Sequence, residues 1–468
     1  MRSEVSTPIL RASRVAVSAA RVALFLAIVT LPWRQHVLLR ARPFPPVYAN
    51  FTDLRLDTHQ IFLLALLLLW GVSLLLQPRR LRTGPFFIWW PLLGLGLAAV
   101  LSVVTAVDPL LSAYHAVQLA ALAGLYLFVI NEIKGLNLIA AGAAGQILVQ
   151  AVVGIGQAWW QRDLGLNWLG ERSLNPMGGD SFVWAQGALR SLRAYGLSDH
   201  PNIMAAGLVF SLLLLPAWYF TSRSRWRRAA IVLFGLGIVA LFLTFSRPAW
   251  IALAAGLGGT AVFLQRRDTE IRRENKEKKS MFLPIRVTFS WIPVVAVTAL
   301  LLLPAVCLRL PYLRMGTETE VIAARLQERI DAQQEWTALN RAANDQFSRH
   351  ALTGVGLGGL PLALRAAGFG YDNQPARVTL ITAAAEVGLL GVLFYFVALT
   401  APWLVLILRP DRLRTNPVLG GLYGLLLALL IFSFYDPYLW SYFAGRLWQW
   451  LAWSLWAVTT VNKGVAYV

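Results

Sequence analysis

Apolar runs of membrane-spanning length fill most of this 468-residue chain, and its polar residues gather in the gaps between them. A helix needs about 20 consecutive apolar residues to cross the hydrocarbon layer. Candidate spans are Ser18–Trp33, His59–Leu76, Phe86–Ala106, Leu111–Ile130, Leu136–Trp160, Pro201–Phe220, Ala229–Phe245, Pro248–Leu264, Val287–Leu308, Val378–Leu408, Val418–Phe434 and Tyr442–Val461. Only 14% of residues are charged, against roughly 25% in a soluble domain. Mean hydropathy is +0.58. The expected fold is therefore all-α, a polytopic membrane helical bundle of about twelve transmembrane helices. Three regions are expected: an N-terminal transmembrane bundle (1–308), a large extracytoplasmic loop (309–377) and C-terminal transmembrane helices (378–468). The first apolar run, Val22 to Trp33, lacks a small-residue cleavage site, so it is expected to be a retained helix.

Net charge is +19. In a soluble protein that would point to nucleic acid. Here no basic stripe interleaves with stacking aromatics, so membrane lipids are the expected partner and nucleic acid is not. Arg79, Arg80 and Arg82 fall in one gap, and Arg223, Arg225, Arg227 and Arg228 in another. Gln265–Arg286 and Arg409–Arg414 fall on the same side. Short basic gaps read as cytoplasmic, which places Gln161–Asp199 and Arg309–Arg377 on the opposite face and both termini inside. The 19 tryptophans fit interfacial belts. The run Arg266–Lys279 reads as a solvated helical loop.

Within Arg309–Arg377, Ile322, Leu326, Ile330, Trp336, Leu339, Ala343 and Phe347 recur at helical spacing, as in an amphipathic helix over the bundle. Gly354-Val-Gly-Leu-Gly-Gly359 then reads as a flexible turn. It lacks the Gly-Lys-Ser/Thr ending of a nucleotide loop, though close backbone approach to a phosphate or sugar is open to it. Cys307 is the single cysteine, so no cysteine metal cluster can form. The five histidines show no metal spacing. Asp53 and Asp57, beside Arg55, read as loop polarity.

Two patterns stand out. Arg193-Ala-Tyr-Gly-Leu-Ser-Asp-His-Pro-Asn202 sits where a polar segment re-enters an apolar one, with His200-Pro201 opening a helix. Thr244-Phe-Ser-Arg-Pro-Ala249 places Arg247 between two apolar runs with almost no loop. A guanidinium at a membrane boundary is costly unless paired, and its geometry suits phosphate. A helix N-terminus adds free amides and a positive dipole end. The bland alternatives are a snorkelling arginine and a topology marker. The functional reading is that both arginines bind the pyrophosphate of a lipid-linked substrate.

These segments, together with Arg341 through His350-Ala-Leu-Thr-Gly-Val-Gly-Leu-Gly358 and Gln374-Pro375 ahead of Ala385-Glu-Val-Gly-Leu-Leu-Gly391, give a resemblance covering most of the chain from about Leu136 onward. The chain resembles the O-antigen ligase/O-antigen polymerase superfamily of bacterial membrane glycosyltransferases. The resemblance implies an inner-membrane protein whose site faces the periplasm or cell exterior. It implies transfer of a glycan from undecaprenyl diphosphate to an acceptor hydroxyl on a sugar-bearing lipid, polymer or protein. The acceptor oxygen would displace the lipid diphosphate, with inversion and without metal or cofactor. Arg193 and Arg247 would hold the diphosphate, with Arg329, Arg341 or Arg377 as further contacts. Tyr195 and Tyr371 would stack on sugars, and Asn202 and Asn373 would orient hydroxyls near His200.

In that family a His-Asn pair commonly precedes the glutamate by about nine residues, and the histidine acts on the acceptor hydroxyl. Counting back from Glu386, this chain has Arg377 and Val378. Arginine stays protonated and cannot be that base. Three explanations are open. Asp372 or His350 supplies the base; electrostatic stabilisation of a good leaving group suffices; or the transferase reaction has been lost. Rival functions are a repeat-unit polymerase on the same carrier, a lipid-glycan transporter and a non-catalytic binding remnant. A transporter would show helices broken near the midplane and two comparable halves, and the sequence gives sign of neither.

Overall fold

The computed structural model describes residues 7–176, 183–186, 189–221, 224–277, 319–369, 374–408 and 417–461. In chain order its elements are α1 (Thr7–Val29), β1 (His36–Arg40), β2 (Leu54–Asp57), α2 (Thr58–Leu76), α3 (Phe86–Val104), α4 (Pro109–Glu132) and α5 (Asn137–Trp160). Then come β3 (Val183–Gln186), β4 (Leu189–Leu192), α6 (Pro201–Thr221), α7 (Ser224–Leu243), α8 (Arg247–Glu277) and α9 (Thr319–Arg349). The last are α10 (Leu360–Ala366), α11 (Thr379–Leu408), α12 (Pro417–Tyr435), α13 (Tyr438–Ser441) and α14 (Phe443–Val461). The strands form two small antiparallel hairpins, β1–β2 and β3–β4.

Nine of these helices, α1 to α7 with α11 and α12, are long and apolar enough to cross a membrane. The chain is a mostly helical, multi-pass membrane protein. Leu68, Leu75, Leu93, Leu97 and Val104 project from α2 and α3 into the surroundings, as a lipid-facing surface should. The expected spans Pro248–Leu264 and Tyr442–Val461 form α8 and α14, both packed in the bundle. The expected span Val287–Leu308 lies outside the described residues.

Three expectations need correcting. The first helix begins at Thr7 rather than Ser18. Its arginines had set the sequence boundary too late: Arg11 and Arg14 are exposed, and Arg21 donates to the Glu132 carbonyl at 2.7 Å. The tryptophans are not confined to belts. Trp448, Trp450, Trp453 and Trp456 are buried, because α14 uses indole rings to fill the bundle core. The Arg309–Arg377 segment is not a simple cap. The amphipathic helix exists as α9, with Leu339, Ala343 and Gln346 buried, but the chain after it turns inward.

That inward turn answers a break in α11. Gly388 has φ +67° and ψ −169°, conformations no helix contains. Unwound backbone inside a bilayer must find partners in the protein itself. Here residues 351–358 supply them. Leu389 N–H donates to the Ala351 carbonyl at 2.7 Å, Val355 N–H to that of Ala385 at 2.8 Å, and Gly356 N–H to that of Glu386 at 3.0 Å. The Glu386 carboxylate accepts from Gly358 N–H at 2.8 Å and from Trp440 Nε1 at 2.7 Å. The glycine run is therefore a packing device. A side chain at Gly354 would strike the Glu386 backbone, and one at Gly358 would strike His115.

Loops sort to two ends. At one, Arg79 pairs with Glu132, and Arg82 N–H donates to Asn131 Oδ1 at 2.8 Å. At the other, Arg42 of the β1–β2 connection pairs with Asp108, whose carboxylate caps α4 through Leu111 N–H at 3.0 Å. Arg365 Nε donates to the Pro45 carbonyl at 2.8 Å, and Arg34 pairs with Asp199 at 2.6 Å. The Arg193–Asn202 pattern belongs to this second end, opposite the basic gap Arg79–Arg82. Gly388→Ala should lower stability by about 1–3 kcal/mol, the usual cost of forcing a side chain into glycine-only backbone. Gly258→Ala, with open space around it, should not. Thermal unfolding of both purified variants checks this, and equal midpoints would contradict it.

Candidate functional site

The Arg193–Asn202 segment is held by glutamines that point out of an apolar helix. Gln146, Gln150 and Gln157 of α5 are fully buried. Gln157 Oε1 accepts from Tyr195 N–H at 3.1 Å and Gly196 N–H at 2.8 Å, while its Nε2 donates to Glu171 Oε1 at 2.8 Å. Gln150 Oε1 accepts from Leu197 N–H at 3.0 Å. Gly196 takes φ +60°, and a side chain there would collide with Gln150. These amides satisfy a non-helical stretch that water cannot reach.

The two arginine patterns meet through the backbone. Ala194 N–H donates to the Leu243 carbonyl at 2.9 Å, and Arg193 Nε to the Thr244 carbonyl at 2.7 Å. Arg247 follows three residues later and opens α8. The turn between is tight because Phe245 adopts a left-handed φ of 52°, and Thr244 Oγ1 accepts from Ser246 N–H at 3.3 Å. Arg247 is exposed and has no hydrogen bond or ion pair to the described residues.

Arg193 Nη2 also donates to Asn202 Oδ1 at 2.8 Å, and Asn202 N–H donates to His200 Nδ1 at 3.0 Å, capping α6. Both partners of the Arg193 guanidinium are neutral. Burial brings the Arg193 pKa down to about 10, so it is still charged at neutral pH. His200 is pushed down to about 3, first by burial and then by the fields of Arg193, Arg377 and Arg172. Three guanidinium groups thus act on one imidazole. Among the described residues, no carboxylate lies within 4 Å of Arg193, Arg247 or Arg377.

Arg377 ties α9 to this cluster. Its guanidinium lies 4.8 Å from the Trp336 ring centroid, a cation–π contact. It also acts on Asp436, in the link between α12 and α13. Burial raises the Asp436 pKa, and Arg377 and the Tyr438 N–H, 2.9 Å from Oδ1, oppose the rise. Thr379 Oγ1 donates to the Asp436 carbonyl at 3.2 Å.

Of the residues singled out from sequence, the structure brings together Arg193, His200, Asn202 and Arg377, with Arg247 three residues beyond the Thr244 carbonyl that Arg193 bonds. Tyr195 is fully buried against Leu174 and Leu192, so its ring offers no face to a sugar. Arg341 and His350 are exposed. His350 lies 14 residues beyond Trp336, about 20 Å along the helix at 1.5 Å per residue, which separates it from the Arg377 contact. Arg329 lies on α9, with its side chain outside the described residues. Tyr371, Asp372 and Asn373 also lie outside them. Among the described residues no three His, Cys, Asp or Glu side chains are grouped to hold a metal.

Sequence reasoning missed Arg172 and Asp436, because only the fold brings them here. It also missed the glutamine face of α5, whose i, i+4, i+11 spacing was visible. Because its folded pKa lies below the unfolded value near 6.5, His200 should cost stability progressively as pH falls from about 6.5 towards 3. The His200 ring signal in NMR should stay neutral from pH 8 to pH 5; titration near 6.5 would contradict this. The chain matches no protein-family model and no curated protein.

Proposed function

We propose that the chain is a glycosyltransferase of the bacterial inner membrane. It moves a glycan from undecaprenyl diphosphate to an acceptor hydroxyl, with its site facing the periplasm or cell exterior. The observation that carries this reading is the cation cluster: Arg193 and Arg377 act on neutral His200 without a carboxylate within ion-pair distance, and exposed Arg247 opens α8 three residues after the Thr244 carbonyl that Arg193 bonds. Unpaired guanidinium groups at a membrane boundary call for an anion. A diphosphate supplies two linked anionic groups with acceptor oxygens for charge-assisted hydrogen bonds.

The layout proposed for the whole chain is twelve spans: the nine apolar helices, α8, α14 and the undescribed Val287–Leu308. Residues 309–377 then lie on the outer face, opposite the basic gaps. One carrier diphosphate sits across Arg193 and Arg247 with its lipid tail in the outer leaflet. The acceptor oxygen attacks the anomeric carbon, the bond from that carbon to the diphosphate oxygen breaks, and the arginines stabilise the charge on the leaving group. The proton of the acceptor hydroxyl passes to Asp436, which stands beside Arg377 where the resembling family carries its histidine. The lipid-glycan transporter remains a second reading, because α11 is broken at Gly388. The break is filled by residues 351–358 rather than left open to a ligand, which favours the transferase.

Arg247→Ala should abolish release of undecaprenyl diphosphate from a lipid-diphosphate glycan without lowering the amount of protein in the membrane. Normal release by the purified variant would contradict its role. Asp436→Asn should slow transfer by about 10²–10⁴-fold, the usual contribution of a general base. In the parent protein the rate should climb with pH through a value above the ordinary carboxylate range, since the deprotonated form is the active one. The variant should lose that limb; an unchanged pH–rate profile would remove Asp436 from the mechanism.

A further inference from the structure

Next to the cation cluster, on the other side of Asp199, the bundle contains a polar cleft. Its walls come from the end of α1, the start of α2, the first turns of α4 and the segment from Tyr438 to Arg446. Arg446 lies at its inner end and is only 4% exposed. One of its nitrogens, Nη2, lies 3.2 Å from His115 Nδ1, while Nε and Nη1 have no partner. His59, 2% exposed, lines the same cleft with neither ring nitrogen hydrogen-bonded and Nε2 3.9 Å from Asp57 Oδ2, and the Ser441 and Tyr438 hydroxyls there lack hydrogen bonds too.

Buried polar groups without partners are costly, and a buried unpaired charge most of all. The other two cations of the cleft are matched: Arg34 pairs with Asp199 at 2.6 Å, and Arg55 with Asp57 at 3.2 Å. The carboxylate of Glu386 accepts from Gly358 and Trp440 and acts on Arg446 only from beyond ion-pair distance, leaving the Arg446 N–H groups without it as a direct partner. Arg446 is therefore the cleft's cation with no carboxylate within 4 Å among the described residues. Its ligand should carry one negative charge. A phosphate dianion suits the cleft poorly, because Asp53, Asp57 and Asp199 also line it. A neutral sugar would give Arg446 Nε and Nη1 no charged acceptor. Tyr114, Tyr442 and Trp33 give aromatic walls, and imidazole and hydroxyl groups give partners for ring hydroxyls.

We propose that this cleft is a subsite for a sugar ring bearing a single carboxylate, with Arg446 as its counter-ion. The proposal rests on the lipid-linked glycan reading and names the sugar class that reading leaves open. The sugar would sit beside the diphosphate, since Asp199 faces the cleft and His200, the next residue, faces the guanidinium cluster.

The test is binding of free glucuronate and free glucose to the full-length protein in lipid nanodiscs, followed by saturation-transfer NMR. Glucuronate should bind at least tenfold tighter than glucose. Arg446→Gln should bring glucuronate down to the level of glucose, and Arg247→Ala should leave it unchanged. Ser441→Leu, which fills the cleft and keeps the charge, should weaken glucuronate if Arg446→Gln fails to fold. Equal binding of the two sugars by the parent protein, binding of neither, or unchanged glucuronate binding in a folded Arg446→Gln variant would overturn the proposal and leave a merely hydrated cavity. Inorganic pyrophosphate is titrated in parallel. Its failure to bind would count against the diphosphate site without touching the sugar result. Pyrophosphate binding that disappears in Arg446→Gln would overturn the sugar subsite.

Discussion

Backbone polar groups inside a bilayer have no water to bond, and this constraint organises the end of the protein where the arginines meet. Two stretches there leave regular helix. One is the Gly388 break in α11, filled by residues 351–358 and clamped by the Glu386 carboxylate. The other is Arg193–Asn202, whose amides are taken by Gln150 and Gln157 of α5. Each irregular segment is paid for by a specific polar side chain on an otherwise apolar helix. Without those partners neither segment would hold its shape, and Arg193, Arg377 and the Asp436 link would not share one neighbourhood.

The same economy shapes the electrostatics. Three pairs at this end match their charges directly, Arg34 with Asp199, Arg42 with Asp108 and Arg55 with Asp57. Against that background the unmatched guanidinium groups stand out by contrast. Arg193 and Arg377 form one set around neutral His200, and Arg446 lies within the bundle beside His115 with Nε and Nη1 unbonded. A set of cations suits a multiply charged group such as a diphosphate. A single enclosed cation among carboxylates suits a singly charged one. Two differently charged places thus lie on either side of the Asp199–His200 step, as the proposed transfer from a charged carrier would require.

Membrane class and most helix positions were legible because they depend on local composition. The start of α6 at Pro201 and of α8 at Arg247 were legible from local chemistry as well. What failed had non-local causes. Trp448, Trp453 and Trp456 look like belt residues by type and are core residues by contact. Tyr195 looks like a sugar platform and is locked behind Leu174 and Leu192. Gly354–Gly359 looks like a flexible turn, yet it packs closely against Ser112 and His115 of α4 and Glu386 of α11. Asp436 and Arg172 carry no local signal at all, since only tertiary contact sets Arg172 near His200 and Asp436 near Arg377.

The central claim is that Arg193 and Arg247 grip one lipid diphosphate. A cryo-electron-microscopy map of the full chain in nanodiscs with undecaprenyl diphosphate tests it most directly. The expected result is paired phosphate density touching both guanidinium groups, with the lipid tail leaving into the leaflet at that end of the bundle. Density for the carrier at the opposite end beside Arg79 and Arg82, or an empty space between Arg193 and Arg247 at saturating lipid, would contradict the account.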